Sequence, residues 1–300
     1  VTGYLAAEGY LDELLAELGE GVLDVRGRLV LHDAPARHAA WARNTWFDPV
    51  ELPVASVNDA ARALTAIQRN WALHSTAAHR RAALIAAKLP HVSAHPLRFP
   101  APLPASPLGS WTLLDRDRLL AAARCSSPFP DGEARFVEDK EGPPNRAYLK
   151  LWEALTLLER WPREGELCVD LGASPGGWTW ALARLGARVV SVDKAPLDPR
   201  VAPLAEHRSE SAFAVEPFPV DWLCCDVVCY PRRLLGLVRR WLGAARNMVC
   251  TVKFQGRTDH AVAREFASIE GARLVHLAHN KHELTFLWPA HGAQATHSSV

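Results

Sequence analysis

At 300 residues, 49% hydrophobic and 22% charged, the chain is long enough for one large or two ordinary domains with real cores, which excludes disorder as its default. Its 34 basic and 33 acidic side chains nearly cancel, excluding a uniformly basic nucleic-acid coat and an acidic solvating tail while leaving room for a local patch. No signal-peptide pattern and no run of about twenty apolar residues occurs, so neither secretion nor membrane spanning is expected. Cys125, Cys168, Cys224, Cys225, Cys229 and Cys250 lack framework spacing and read as reduced core thiols of a cytoplasmic protein. Cys225 and Cys229 offer too few ligands for a metal, and no metal is expected.

In chain order, residues 3–6 read as extended, 11–18 as an amphipathic helix and 22–31 (VLDVRGRLVL) as one strand. Ser56, with Asp59 three residues on, is a capping signal for a helix whose apolar spacing continues through Leu73. A second helix is predicted over 79–88. Six prolines between 90 and 107 forbid a central strand or helix and mark an extended connection. SWTLLD and RLLAAARC then read as two strands around an Asp-Arg-Asp turn, completing an N-terminal α+β region over 1–132.

The texture changes at 133. A helix over 146–160, the strand LCVDL, a helix over 177–185 and the strand RVVSVD are followed by the apolar strands WLCCDVV, NMVCTVKF and LTFLW, with helices over 232–242 and 260–268 between them. Strands alternating with helices predict a mostly parallel sheet over 133–290, with a ligand crevice at the carboxyl ends of its strands. Residues 291–300 read as a flexible tail.

Between LCVDL and its helix lies GASPGGW, where Gly172, Gly176 and Gly177 allow a sharp turn and a close approach to a ligand or helix. The turn lacks the Gly-Lys-Ser/Thr ending of a phosphate loop, and Ser174 occupies the second glycine position of GxGxxG. Asp193, about twenty residues on at the end of the second strand, is placed to accept from a ribose diol. The combination implies a nucleoside-containing ligand without a pyrophosphate. The chain has only six lysines, and a lysine in so arginine-rich a chain marks a place for an amine able to lose its proton. Lys253 ends NMVCTVKF, Lys150 lies in RAYLKLWEAL, Asp226 follows WLCC and Glu283 opens the last strand.

DLGASPGGW resembles the S-adenosylmethionine motif of the FtsJ-type, Rossmann-like ribose 2′-O-methyltransferases with their D-x-G-x-x-P-G-G turn. Lys150, Asp226, Lys253 and Glu283, in the contexts RAYLK, CCD, TVK and HNKHE, match that family's Lys-Asp-Lys-Glu tetrad. The resemblance covers residues 133–288 and implies a fold class: an α/β, Rossmann-like S-adenosylmethionine-dependent methyltransferase domain behind an N-terminal α+β, THUMP-like RNA-binding region. It also implies S-adenosylmethionine as cofactor, surrounded by Asp170, Gly172, Ser174, Pro175, Gly176, Gly177, Trp178 and Asp226, with Asp193 on its ribose and Glu210 as candidate for the adenine amino group. Lys150, Asp226, Lys253 and Glu283 would be catalytic. Lys253 is expected to take the proton of a ribose hydroxyl, its ammonium form disfavoured by Lys150 and burial; Asp226 would orient it while Lys150 and Glu283 hold the ribose. The implied partner of this monomer is RNA, large-subunit ribosomal RNA first. The same chemistry on transfer RNA, and a non-catalytic RNA-binding or ribosome-assembly factor, are the alternatives.

Charge is uneven along the chain. Residues 1–59 hold four basic and ten acidic side chains, whereas 60–114 hold Arg62, Arg69, Arg80, Arg81, Lys88 and Arg98 and no carboxylate. That stretch, with His74, His79, His91 and His95, is the expected RNA footprint, Arg80 and Arg81 reaching phosphates. Trp71 and Trp111 are candidates for base stacking, although Trp71 at helical spacing also suits a core. Arg232, Arg233, Arg239 and Arg240 on one helix are a second candidate contact, or an ordinary solvated face.

Overall fold

The computed structural model describes residues 1–289; the tail predicted over 291–300 lies outside them. The chain divides into two compact units, one of residues 1–97 and 103–135 and one of 98–102 with the chain from 136 onward. The proline-rich connection is therefore split, residues 98–102 belonging to the second unit, and the sequence-predicted boundary at 132 moves to 135.

The first unit begins with β1 (Thr2–Ala6), α1 (Leu11–Leu18), β2 (Val22–Arg26), β3 (Leu29–His32) and β4 (Ala42–Phe47). The run 22–31, predicted as one strand, is a hairpin: Arg26 pairs with Leu29, and Gly27 takes the positive φ of 58° that the two-residue turn requires. Next come β5 (Val50–Pro53), α2 (Val57–Ile67), β6 (Trp71–Leu73), α3 (His79–Ala86), β7 (Gly109–Leu113), β8 (Arg118–Ala122) and β9 (Arg124–Cys125). Ser56 caps α2 as predicted, its Oγ accepting from Asp59 N at 3.1 Å while Asp59 Oδ2 accepts from Ala55 N at 3.0 Å. The helix stops at Ile67, short of the predicted Leu73. Trp71 lies in a strand and folds its indole N–H back onto the carbonyls of Leu64 and Gln68 at 2.9 and 3.0 Å, adding to the Gln68 N–H that Leu64 O already accepts at the helix end.

Two sheets result, in the orders β2-β3-β1-β4-β9 and β5-β8-β7-β6. The run RLLAAARC, predicted as one strand, serves both, because β8 ends at Ala122 and β9 pairs with β4. Leu64, Trp71, Ile85, Trp111 and Leu119 form one core cluster of this unit. Each such side chain stabilises by roughly 1.5–3 kcal/mol on leaving water. Trp71 and Trp111 are 4% and 0% exposed, so both are core residues and neither stacks on a base. His74 is also withdrawn from the surface, its Nδ1 3.0 Å from Asp131 Oδ1.

The second unit holds α4 (Tyr148–Leu157), β10 (Leu167–Leu171), α5 (Gly177–Arg184), β11 (Arg188–Val192), β12 (Glu206–Arg208), β13 (Val220–Cys225), α6 (Pro231–Trp241), β14 (Ala245–Lys253), α7 (His260–Ala267), β15 (Arg273–Val275) and β16 (Glu283–Trp288). Its seven strands follow the order β12-β11-β10-β13-β14-β16-β15. The first five are parallel and β16 runs antiparallel to both neighbours. Strand order advances one way from β10 to β12 and the other way from β13 to β14, so the crevice between β10 and β13 opens at their carboxyl ends. This is the mostly parallel sheet that the alternation of strands and helices predicts, in the Rossmann-like arrangement that the resemblance implies. All residues of α4 from Tyr148 to Thr156 are buried. Phe99, from the proline-rich connection, stacks on Trp152 of that helix with ring centroids 5.0 Å apart and planes at 15°.

The arginines of α6 are largely committed within the second unit. Arg232 and Arg239 pair with Glu265, and Arg240 donates to the carbonyls of Phe213 and Val215. Five of the six cysteines are buried and Cys125 is half-buried. Among the described residues no group of three or more His, Cys, Asp or Glu side chains is arranged to hold a metal ion, and no helix is long and apolar enough to cross a membrane.

Candidate active site

The crevice is built on glycine. Gly172, directly after β10, has φ 78°, and a Cβ there would lie 2.9 Å from Val227 Cα, in the segment that follows β13. Gly176 caps α5 with φ 115°, and a Cβ there would meet Val201 at 2.8 Å. Only glycine permits both the backbone and the approach. Gly177 sits against Asn145, whose Oδ1 accepts from Ala147 N at 3.0 Å and so ties the entry of α4 to the turn. The Ser174–Pro175 peptide is cis.

Carboxylates border this turn. Asp170, in the last turn-ward part of β10, is 1% exposed. Its Oδ2 accepts from Thr179 Oγ1 at 2.7 Å, while its buried Oδ1 has no hydrogen-bond partner. Burial pushes its carboxyl up to about 7, the Thr179 hydrogen bond opposing the rise and the Asp226 charge adding to it. Asp193, just beyond β11, accepts from Ser174 N at 3.1 Å and Ala195 N at 2.9 Å, joining the second strand's loop to the glycine turn. Glu210 stands half-buried two residues beyond β12, at the same edge. Trp178, in the first turn of α5, is 3% exposed and its indole donates to Ala147 O at 2.9 Å, so it fastens α5 to the start of α4.

Asp226 stands on the other side of the crevice, between two lysines. Lys150 Nζ lies 3.2 Å from Asp226 Oδ2 and 3.0 Å from Glu283 Oε1; Lys253 Nζ lies 2.9 Å from Asp226 Oδ1 and donates to the Asp226 carbonyl at 2.6 Å. Four elements supply the cluster: α4, the end of β13, the end of β14 and the start of β16. Lys253 and Glu283 are opposed residues of the antiparallel β14/β16 pair. All four predicted tetrad residues are thus brought together. One expectation changes, because the charge nearest Lys253 is the Asp226 carboxylate rather than Lys150. Burial opposes the Lys150 charge, but the Asp226 and Glu283 carboxylates outweigh it and hold the ammonium above the usual lysine range. Burial also opposes the Asp226 charge, and Lys150 with Lys253 outweighs it, keeping that carboxyl below its usual range.

Two supporting residues escaped the sequence reading. Thr179 orients Asp170 and also bonds Ser191 on β11 at 2.7 Å. Asn145 packs under Gly177. The signal for each was its place, one in the first turn after the glycines and the other just ahead of RAYLK.

Comparison with known proteins follows the same stretch of chain. Residues 143–268 match the FtsJ-like methyltransferase family. The chain is 40% identical over 171 residues to a protein of Halorhodospira halophila named ribosomal RNA large subunit methyltransferase M, covering 52% of this chain and 50% of the relative. A protein of the same name from Xanthomonas oryzae is 36% identical over 210 residues, covering 65% and 56%. The chain thus spans about half the length of the curated relatives it matches. A solved ribosomal RNA methyltransferase of Plasmodium falciparum superposes with a TM-score of 0.38 at 12% identity, covering 49% of this chain and 97% of that one.

The FtsJ-like match implies S-adenosylmethionine, and the residues present fit it. Its sulfonium and ammonium are cationic, and the glycine cradle is ringed by Asp170, Asp193 and Asp226. The partnerless Asp170 Oδ1 is the acceptor left over at the base of that cradle.

Proposed function

We propose that the chain is an S-adenosylmethionine-dependent RNA ribose 2′-O-methyltransferase acting on large-subunit ribosomal RNA. The observation that carries this reading is the convergence of Lys150, Asp226, Lys253 and Glu283 beside the glycine cradle. The bound cofactor supplies an electrophilic methyl group on sulfonium. A ribose hydroxyl attacks poorly unless it is aligned in line and relieved of its proton. Lys253 would take that proton as the hydroxyl oxygen attacks the methyl group. Asp226, 2.9 Å away, then stabilises the new ammonium. Lys150, held as a cation by two carboxylates, keeps its protons and donates a hydrogen bond to the same ribose oxygen, while Glu283 fixes Lys150. Asp193 holds the cofactor's ribose and Glu210 its adenine amino group.

The first unit is the RNA-binding, THUMP-like part of this reading. Arg80 is exposed, which suits a phosphate contact, and Arg81 beside it is half-buried. Reversing both charges should weaken RNA binding and flatten its salt dependence, leaving cofactor affinity unchanged. The decisive experiment maps 2′-O-methyl groups in total RNA with and without the gene. One large-subunit ribosomal site should disappear; a set of sites identical in both would overturn the proposal.

A further inference from the structure

We infer that Val228 and Tyr230 form a stacking platform for an unpaired RNA base beside the lysine cluster, a subsite that rests on the RNA reading above. They are the most exposed of the large hydrophobic side chains among the described residues, at 75% and 66%. Both belong to the short segment between Asp226, which engages both lysines, and Pro231, which opens α6.

That segment is pinned at alternate positions. The Val227 backbone lies against Gly172, where even a Cβ would crowd it, Cys229 is 7% exposed, and Pro231 is buried at the head of α6. Tyr230 is extended, at φ −67° and ψ 144°. Exposed, buried, exposed over 228–230 is the alternation of an extended chain, whose every second side chain shares a face. Val228 and Tyr230 are thus held out to solvent by an anchored backbone, so engaging a ligand there costs little ordering.

The chemistry fits a nucleobase. An aromatic ring flanked by an aliphatic side chain offers a π-face to any base, and single-stranded RNA is recognised largely by such stacking. Arg233, in the first turn of α6, donates its backbone N–H to Tyr230 O at 3.0 Å and lays its guanidinium 3.8 Å from the Phe213 ring centroid, so a cation stands on the same short stretch of chain for the neighbouring phosphates. Four residues of extended chain reach at most about 14 Å, so Tyr230 lies within reach of the base of the nucleotide whose ribose meets Lys253, or of its neighbour.

The test uses the full chain, since neither side chain supports the core. Methyl transfer to large-subunit RNA is measured for wild type, Tyr230→Ala, Tyr230→Phe and Val228→Ser, alongside quenching of a single-stranded RNA oligomer carrying 2-aminopurine. Tyr230→Ala should raise the KM for RNA about 5- to 150-fold, the range measured when a stacking aromatic is removed, with the KM for S-adenosylmethionine unchanged. Tyr230→Phe should stay within about twofold of wild type, and Val228→Ser should fall between the two. An RNA KM unaltered by Tyr230→Ala overturns the subsite while leaving the methyltransferase reading intact, and would assign the pair to a protein contact instead. If wild type transfers no methyl group to RNA, that reading falls and the oligomer decides the subsite: quenching by wild type but not by Tyr230→Ala supports it, and equal quenching by both overturns it.

Discussion

The two ends of the seven-stranded sheet use the same residue types to opposite purposes. At the amino end, Asp221 accepts from Leu167 N at 2.9 Å and pairs with Arg246 at 3.3 Å, and Glu166 accepts from the Trp222 indole at 2.9 Å. Each of these charges closes a backbone or ring donor, and Arg246 remains 71% exposed. At the carboxyl end, Asp170, Lys150 and Glu283 are buried, and one carboxylate is shared between two ammonium groups. Charge that is kept from water yet not fully paired is costly, and the sheet bears that cost at the end where the strand order reverses.

The comparison breaks most sharply at Lys253. If the carboxyl end is the reactive one, Lys253→Ala should lower kcat for methyl transfer by about 10²- to 10⁴-fold, with S-adenosylmethionine affinity measured by calorimetry unchanged. Lys253→Arg should be as inactive, since guanidinium does not give up its proton. Retained activity in either variant would remove the base from its assigned place.

Lys150 tests the energetic side. Lys150→Ala leaves Glu283 buried without its cation and should destabilise the fold by about 3–5 kcal/mol in denaturant titration. The double variant Lys150→Met with Glu283→Leu should recover most of that loss while remaining inactive. Equal destabilisation in single and double variants would mean that packing, not charge, is what Lys150 supplies.

Asp170 gives the carboxyl end a pH signature. Its folded carboxyl titrates near 7, above the ordinary value of 3.8, so between those values the folded state holds a proton that the unfolded state has lost. Stability attributable to this group therefore falls as pH rises from about 4 to about 7, by at most about 1.4 kcal/mol per unit, and is level above. Asp170→Asn should flatten that slope in thermal unfolding and be relatively more stable than wild type at pH 8 than at pH 5. An unchanged slope would place the pH dependence elsewhere.

Much of the carboxyl end was legible in the sequence because its constraints are local. Gly172 and Gly176 mark backbone that residues with side chains rarely adopt, and Lys150 is a lone cation within a helix that is otherwise apolar or buried. Contacts across the chain were less legible. Trp71 continues the helical spacing of α2 because it returns to cover that helix's last carbonyls, and apolar periodicity reports a shared core whatever the backbone does. Trp178 sits in a cofactor motif yet spends its indole on Ala147, and Asp226's position between two lysines depends on β14 and α4 meeting in space. The split of 22–31 at Gly27 was a missed turn signal rather than a tertiary effect.

The smallest effect is the control for the whole comparison. Arg246 pairs with Asp221 from a largely solvated position, and exposed pairs of this kind contribute about 0–1 kcal/mol. Arg246→Ala should therefore shift unfolding by no more than that and leave methyl transfer untouched. Asp221 would keep its acceptor role toward Leu167, since that bond closes the start of β10 independently of the arginine. A loss of activity in Arg246→Ala would mean that the amino end also bears on the reaction, and the contrast between the two ends would have to be drawn differently.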